Sequence, residues 1–215
     1  MKQTLIFVFC LFQFLDFTYG QSSDSLGAKG QKEFAIGLNA IQTSLLSKKN
    51  YGINFTMIYF PRKRIGTGIY LTASQKKISD TFSYPVKKPI IQFYEIGWIN
   101  QYDFLQTSKL RMNISLVNGL SQVKLGDNAF KERRHKYAPK EISSNYFFTV
   151  EPGSSFSYKF ISDKGNADFW LTAAANYRFV FGDPKYGNIK DFSGYLFRIG
   201  VSIIGLVGNT TYTKN

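Results

Sequence analysis

The sequence predicts an all-β fold, an eight-stranded antiparallel up-and-down transmembrane β-barrel. Three observations carry that expectation. Eight segments of about ten residues alternate apolar with polar side chains, as a strand with two unlike faces does. The connections sort by length onto two ends. The polar faces hold charges, where a soluble lipid carrier would be apolar inside.

Composition agrees. At 215 residues the chain is one domain, and its 21 Phe, 14 Tyr and 2 Trp favour half-buried strands. Beyond residue 20 no apolar run approaches the ~20 residues of a membrane helix.

Residues 1–20 read as a cleaved secretory signal. Lys2 supplies the basic start, LIFVFCLFQFL (Leu5 to Leu15) the apolar core, and FTYG ends in Gly20 with Thr18 two places before it. Cleavage near Gly20 removes Lys2, Asp16 and Cys10, so the net charge stays at +13 and no thiol remains. With one histidine, His135, and no cysteine, neither a metal nor a cofactor is expected. Residues 21–33 are polar and aperiodic, a tail on the periplasmic side. The barrel is expected over residues 34–207, followed by a C-terminal tail, 208–215.

The strands follow in order. FAIGLNA sets Phe34, Ile36 and Leu38 against Ala35, Gly37 and Asn39. YGINFTMIY sets Tyr51, Ile53, Phe55, Met57 and Tyr59 against Gly52, Asn54 and Thr56. IGTGIYLTAS opposes Ile65, Ile69 and Leu71 to Gly66, Gly68, Tyr70, Thr72 and Ser74. IIQFYEIGWIN sets Tyr94, Ile96 and Trp98 against Glu95 and Gly97, but Ile91 and Phe93 share the polar face, which predicts a bulge or a late start. LRMNISLVN opposes Leu110, Met112, Ile114 and Leu116 to Arg111, Asn113 and Ser115. YFFTVEPGSSFSYKF sets Phe148, Val150, Phe156, Tyr158 and Phe160 against Thr149, Glu151, Gly153, Ser155, Ser157 and Lys159, with a bulge or bend expected at Pro152. DFWLTAAANYRFVFG opposes Phe169, Leu171, Tyr177, Phe179 and Phe181 to Thr172, Asn176 and Arg178. GYLFRIGVSIIGLVG opposes Phe197, Ile199, Val201 and Ile203 to Arg198, Gly200 and Ser202.

If both chain ends lie in the periplasm, the long connections 75–89 and 121–144 both fall outside, while FPRKR, 101–109 and SDKGNAD become periplasmic turns. Glu95, Arg111, Glu151, Lys159, Arg178 and Arg198 then point into the lumen, where opposite charges on facing walls pair as a network. Aromatic residues at segment ends (Tyr51, Tyr59, Phe60, Trp98, Phe148, Tyr158, Phe160, Phe169, Phe181, Tyr195, Phe197) suit interfacial girdles.

With leader, strands and charged interior in place, the chain resembles the small outer-membrane β-barrels of Gram-negative bacteria, the OmpA/OmpX-like barrels. The resemblance is one of pattern over Phe34 to Val207. One local match is to the assembly signal of such final strands, polar–x–Gly–apolar–x–apolar, read here at Arg198, Gly200, Val201 and Ile203. The chain departs from the family in ending on GNTTYTKN instead of an aromatic residue. The resemblance implies insertion by the barrel-assembly machinery and a place in the outer membrane. It implies no activity.

The outer connections carry fourteen Lys and Arg against six Asp and Glu; the turns carry five against three. The densest cluster, KERRHKYAPKE, offers Lys131, Arg133, Arg134 and Lys136 to lipid phosphates such as those of lipopolysaccharide. His135 has no serine two residues away, and the nearest, Ser143 and Ser144, lie in the same connection. That spacing speaks against a lipid A-modifying enzyme. Glu95 and Glu151 share their interior with four basic residues and read as structural, not as a glycosidase pair. The pI of 9.7 does not point to nucleic acid in an exported barrel.

The expected role is a non-enzymatic integral barrel with basic outer loops, its interior filled so that no pore is open. Two alternatives stand beside it. One is an accessory of a secretion or envelope-assembly complex, docking a partner through Pro61–Arg64 and the tail from Gln21. The other is a soluble periplasmic lipid-binding barrel.

Overall fold

A computed structural model describes residues 32–46, 48–131, 139–162 and 167–207. Eight strands, β1 (Lys32–Leu45), β2 (Lys48–Arg62), β3 (Ile65–Lys77), β4 (Pro89–Gln106), β5 (Leu110–Lys131), β6 (Pro139–Ser162), β7 (Ala167–Phe181) and β8 (Gly194–Val207), pair antiparallel in sequence order. β8 returns to β1, from Lys32↔Val207 to Thr43↔Leu196, and closes the barrel. Closure leaves no unpaired edge, which is what a sheet needs where water cannot satisfy its backbone.

The alternation seen in the sequence is the inside–outside pattern of this barrel. Every strand presents large apolar side chains outward, among them Leu38, Ile53, Leu71, Ile96, Leu120, Phe156, Phe179 and Ile199. Asn39, Asn54, Thr72, Glu95, Asn113, Thr149, Asn176 and Arg198 on the same strands are buried within. A soluble protein rarely exposes an apolar belt of this extent.

Two ends result. Among the described connections, the loop end carries 78–88 and 182–193, and the turn end carries 63–64 and 107–109. Exposed aromatics mark both margins of the belt, with Tyr51, Tyr146, Phe181 and Tyr195 toward the loop end and Tyr102, Phe104, Tyr158 and Phe160 toward the turn end. Phe60 and Trp98 depart from the expected girdles. Phe60 is buried inside the barrel, and Trp98 lies midway along β4 between Ile69 and Asn118.

Three further expectations are corrected. Ile91 and Phe93 need no bulge: β4 pairs with β3 in unbroken register from Ile65↔Tyr102 to Lys77↔Ile90, and both side chains enter the barrel, each 1% exposed. The interior at the loop end is apolar, so their place on the inward face is right. At Pro152 the pairing to β7 skips two residues but resumes in the same register at Gly153↔Asn176. The register shift of β6 against β7 lies instead between Lys159 and Ile161, leaving Phe160 and Ile161 both exposed. Most of the connection expected at 121–144 is paired strand, with Ser121↔Phe147 and Leu125↔Ser143, because Val123, Leu125 and Phe147 keep the alternation going beyond the belt.

The loop end is packed shut. Leu45, Ile91, Phe93, Val123, Leu125, Phe147 and Val180 point inward from the wall. The last connection descends onto them with Tyr186 and Phe192, the latter in the short helix α1 (Ile189–Phe192). Polar bonds tether it. Tyr186 Oη donates to the Val123 carbonyl (2.7 Å), Asn145 Nδ2 to the Tyr186 carbonyl (3.2 Å) and the Lys185 amide to Asn145 Oδ1 (2.6 Å). Ile78, Phe82 and Tyr84 of connection 78–88 pack against the same cluster. Burying each large side chain contributes roughly 1.5–3 kcal/mol, so the cap is part of the fold. Planar-bilayer recordings of the reconstituted barrel should therefore show no porin-sized conductance steps; regular steps of that size would overturn the closed lumen.

Candidate functional site

Beneath the cap, at mid-height, the interior turns polar. β7 brings Arg178 inward, β4 brings Glu95 and β6 brings Glu151, all at even spacing from their inward neighbours and all essentially inaccessible. Arg178 Nε donates to Glu151 Oε1 at 2.6 Å and Nη2 to Glu95 Oε2 at 3.1 Å. Its remaining nitrogen, Nη1, donates to Thr43 Oγ1 at 3.2 Å. Thr149 donates to Glu95 Oε1 (2.6 Å) and Tyr70 Oη to Glu151 Oε2 (3.1 Å). All four carboxylate oxygens therefore accept a hydrogen bond, the condition under which buried charges persist. The guanidinium also stacks over Phe93, 4.1 Å from the ring centre, so the inward apolar residues of β4 pack the same charge.

The other three charges of the expected network sit nearer the turn end, apart from this triad. Arg198 donates to Asn176 Oδ1 at 2.6 Å, and its guanidinium carbon lies 5.2 Å from the Tyr70 ring centre. Arg111 pairs with Glu33 at 2.6 Å, stands 3.7 Å from Asp103, and lies between the rings of Phe60 (5.6 Å) and Trp170 (5.0 Å). Lys159 pairs with Asp168 at 2.9 Å and lies 5.5 Å from the Trp170 ring centre.

Sequence reasoning assigned Glu33 to the tail and Asp103 and Asp168 to turns. All three are strand residues, and Asp103 is fully buried. Continuing the parity of β4 from Glu95 through Gly97, Ile99 and Gln101 would have placed Asp103 inside. Nothing in the alternation singles out Tyr70 as the bridge between the triad and Arg198.

The expected assembly residues lie on β8 against β1. Arg198 and Gly200 face inward, Val201 and Ile203 outward, with Gly200↔Asn39 and Val201↔Leu38 paired across the closing seam. Arg133, Arg134, His135 and Lys136 lie outside the described residues, as does the side chain of Lys131. Ser144 is buried, and Ser143 Oγ accepts from Tyr84 Oη at 3.4 Å. Among the described residues no group of three or more His, Cys, Asp or Glu is placed to hold a metal. The triad is held by its own ion pairs and by Thr43, Thr149 and Tyr70, so it acts as an internal brace.

A solved structure reproduces this architecture. Neisserial surface protein A superimposes over 81% of this chain and 96% of its own, with a TM-score of 0.52 at 12% identity. The fold is that of the small outer-membrane β-barrels. The attachment invasion locus protein Ail of Yersinia pestis aligns over 82% of this barrel and 99% of its own chain, with a TM-score of 0.49 at 11% identity. No protein-family model matches the barrel sequence. No curated protein sequence matches it either.

At the loop end of the barrel, the described residues carry eleven lysines against five carboxylates. Lys48, Lys49, Lys77, Lys87, Lys88, Lys140, Lys185 and Lys190 are exposed. Lys76 donates to the Lys49 carbonyl and Lys48 Nζ to Ser79 Oγ, which holds neighbouring lysines side by side. Asp127 is turned inward and accepts from the amides of Lys87, Lys88 and Ala129, so it anchors a loop and does not offset the surface charge. Glu141 is bound by Lys124 at 2.9 Å, and that hydrogen bond holds its carboxyl below the usual carboxylate range.

Proposed function

We propose that this chain is a non-enzymatic integral barrel of the Gram-negative outer membrane, inserted by the barrel-assembly machinery with its loop end outward. The observation that carries the reading is the inverted surface, apolar on the outside of every strand and polar within. Its basic loop end contacts lipid phosphates, lipopolysaccharide included. Lysines crowded together with few exposed carboxylates attract multivalent anions. The exposed turn residues Lys63, Arg64 and Lys109 favour a second reading, in which the turn end docks an envelope partner.

Two measurements test the main reading. The protein should sediment with outer membranes and change gel mobility on boiling; recovery as soluble periplasmic protein would reject membrane insertion. Replacing Lys49, Lys77, Lys87 and Lys88 together with glutamine should lower lipopolysaccharide retained in mild detergent by about tenfold, from four exposed charge contacts at ~0.2–1 kcal/mol each. Retention equal to that of the native barrel would remove the crown from lipid binding.

A further inference from the structure

Below the triad, toward the turn end, the lumen holds a cavity of about 70 Å³. Its only charged lining residues are Arg111 and Arg198, 7% and 8% exposed, and no carboxylate lines it. The rest of its polar wall is hydroxyl and amide. Ser157, Thr172 and Ser202 run across it as a chain of hydrogen-bonded hydroxyls, 2.9 and 3.2 Å apart.

The two guanidiniums are incompletely partnered there. Arg198 Nε, Arg111 Nε and Arg111 Nη1 are buried without a hydrogen-bond acceptor among the described residues. Arg198 contacts a neutral amide and a ring but no carboxylate. The carboxylates of the triad bond to Arg178, Thr149 and Tyr70, and neither is bonded to Arg198. A buried cation with a spare N–H is costly unless an acceptor, preferably an anion, meets it.

We propose that this chamber binds one small inorganic anion, seated between Arg198 and Arg111, with the hydroxyl chain offering it the one proton that its two internal bonds leave free. The volume sets the ligand class. About 70 Å³ has room for a few waters, which suits a halide with its water or a single compact oxyanion. The site belongs to the lumen, so loss of lipopolysaccharide binding at the loop end would leave it untouched.

Crystals of the refolded barrel soaked in bromide test the site. An anomalous peak within hydrogen-bond distance of Arg198 Nε is expected, and it should vanish in Arg198→Gln. In solution, excess chlorine-35 line broadening by the native barrel should weaken about tenfold in that variant, the loss of one charge-assisted bond. Should Arg198→Gln fail to refold, Arg198→Lys keeps the charge, removes the Nε donor and should weaken the broadening in the same direction. Bromide found only at surface lysines, or broadening unchanged in either variant, would overturn the proposal and leave the chamber to water.

Discussion

Replacing Arg178 with methionine should cost the barrel about 3–5 kcal/mol and abolish the heat-modifiable folded band in most of the refolded protein. The guanidinium is the only cation bonded to Glu95 and Glu151 among the described residues, and all three groups are fully enclosed. Removing it strands two carboxylates that lie within reach of one guanidinium, and the cap above prevents water from replacing it. Arg178→Met combined with Glu95→Gln and Glu151→Gln should regain most of the loss, since the neutral set no longer buries unpaired charge. Urea titration of the folded band in detergent reads both variants. A single substitution as stable as the native barrel would show that the triad carries no weight in the fold, and a triple variant as weak as the single would place the defect in packing.

Gly200→Val should block closure of the barrel. The hydrogen-bonded seam between β1 and β8 joins the two ends of the sheet, and Gly200 faces Asn39 across it. A Cβ at this position would run into the carbonyl oxygen of Leu38 and Cα of Asn39, both backbone atoms that can move only by separating the strands. Overpacking alone costs about 1–3 kcal/mol. An opened seam adds unpaired amides and carbonyls, which a bilayer penalises by several kcal/mol each. Refolding yield measured by gel mobility should fall sharply, while Val201→Ala, which trims an outward side chain next door, should leave it nearly intact. Equal yields for both would mean that β8 accommodates the side chain by shifting along β1.

How far the site could be read in advance differs residue by residue. Arg178, Glu95 and Glu151 were legible because each is a charge on the polar face of its alternating segment. Their pairing was not, since it joins β4, β6 and β7 across the lumen and depends on stagger around the ring. Ile91 and Phe93 looked like a fault for a related reason. Alternation shows which face a side chain takes, but not that the inward face is apolar at the loop end and polar at mid-height. Glu33, Asp103 and Asp168 were missed because the strands run beyond the segments in which the pattern is cleanest.

The sequence by itself determined eight strands, their order, the inward and outward sets, and the excess of positive charge. These follow from a period of two and from composition, which are local properties. Only the tertiary structure decided that connection 182–193 enters the mouth, that Arg178 takes both glutamates while Arg198 takes neither, and that Arg111 and Arg198 share a chamber. Those outcomes depend on which residues meet at one height inside the closed ring, and strand register and stagger set that height.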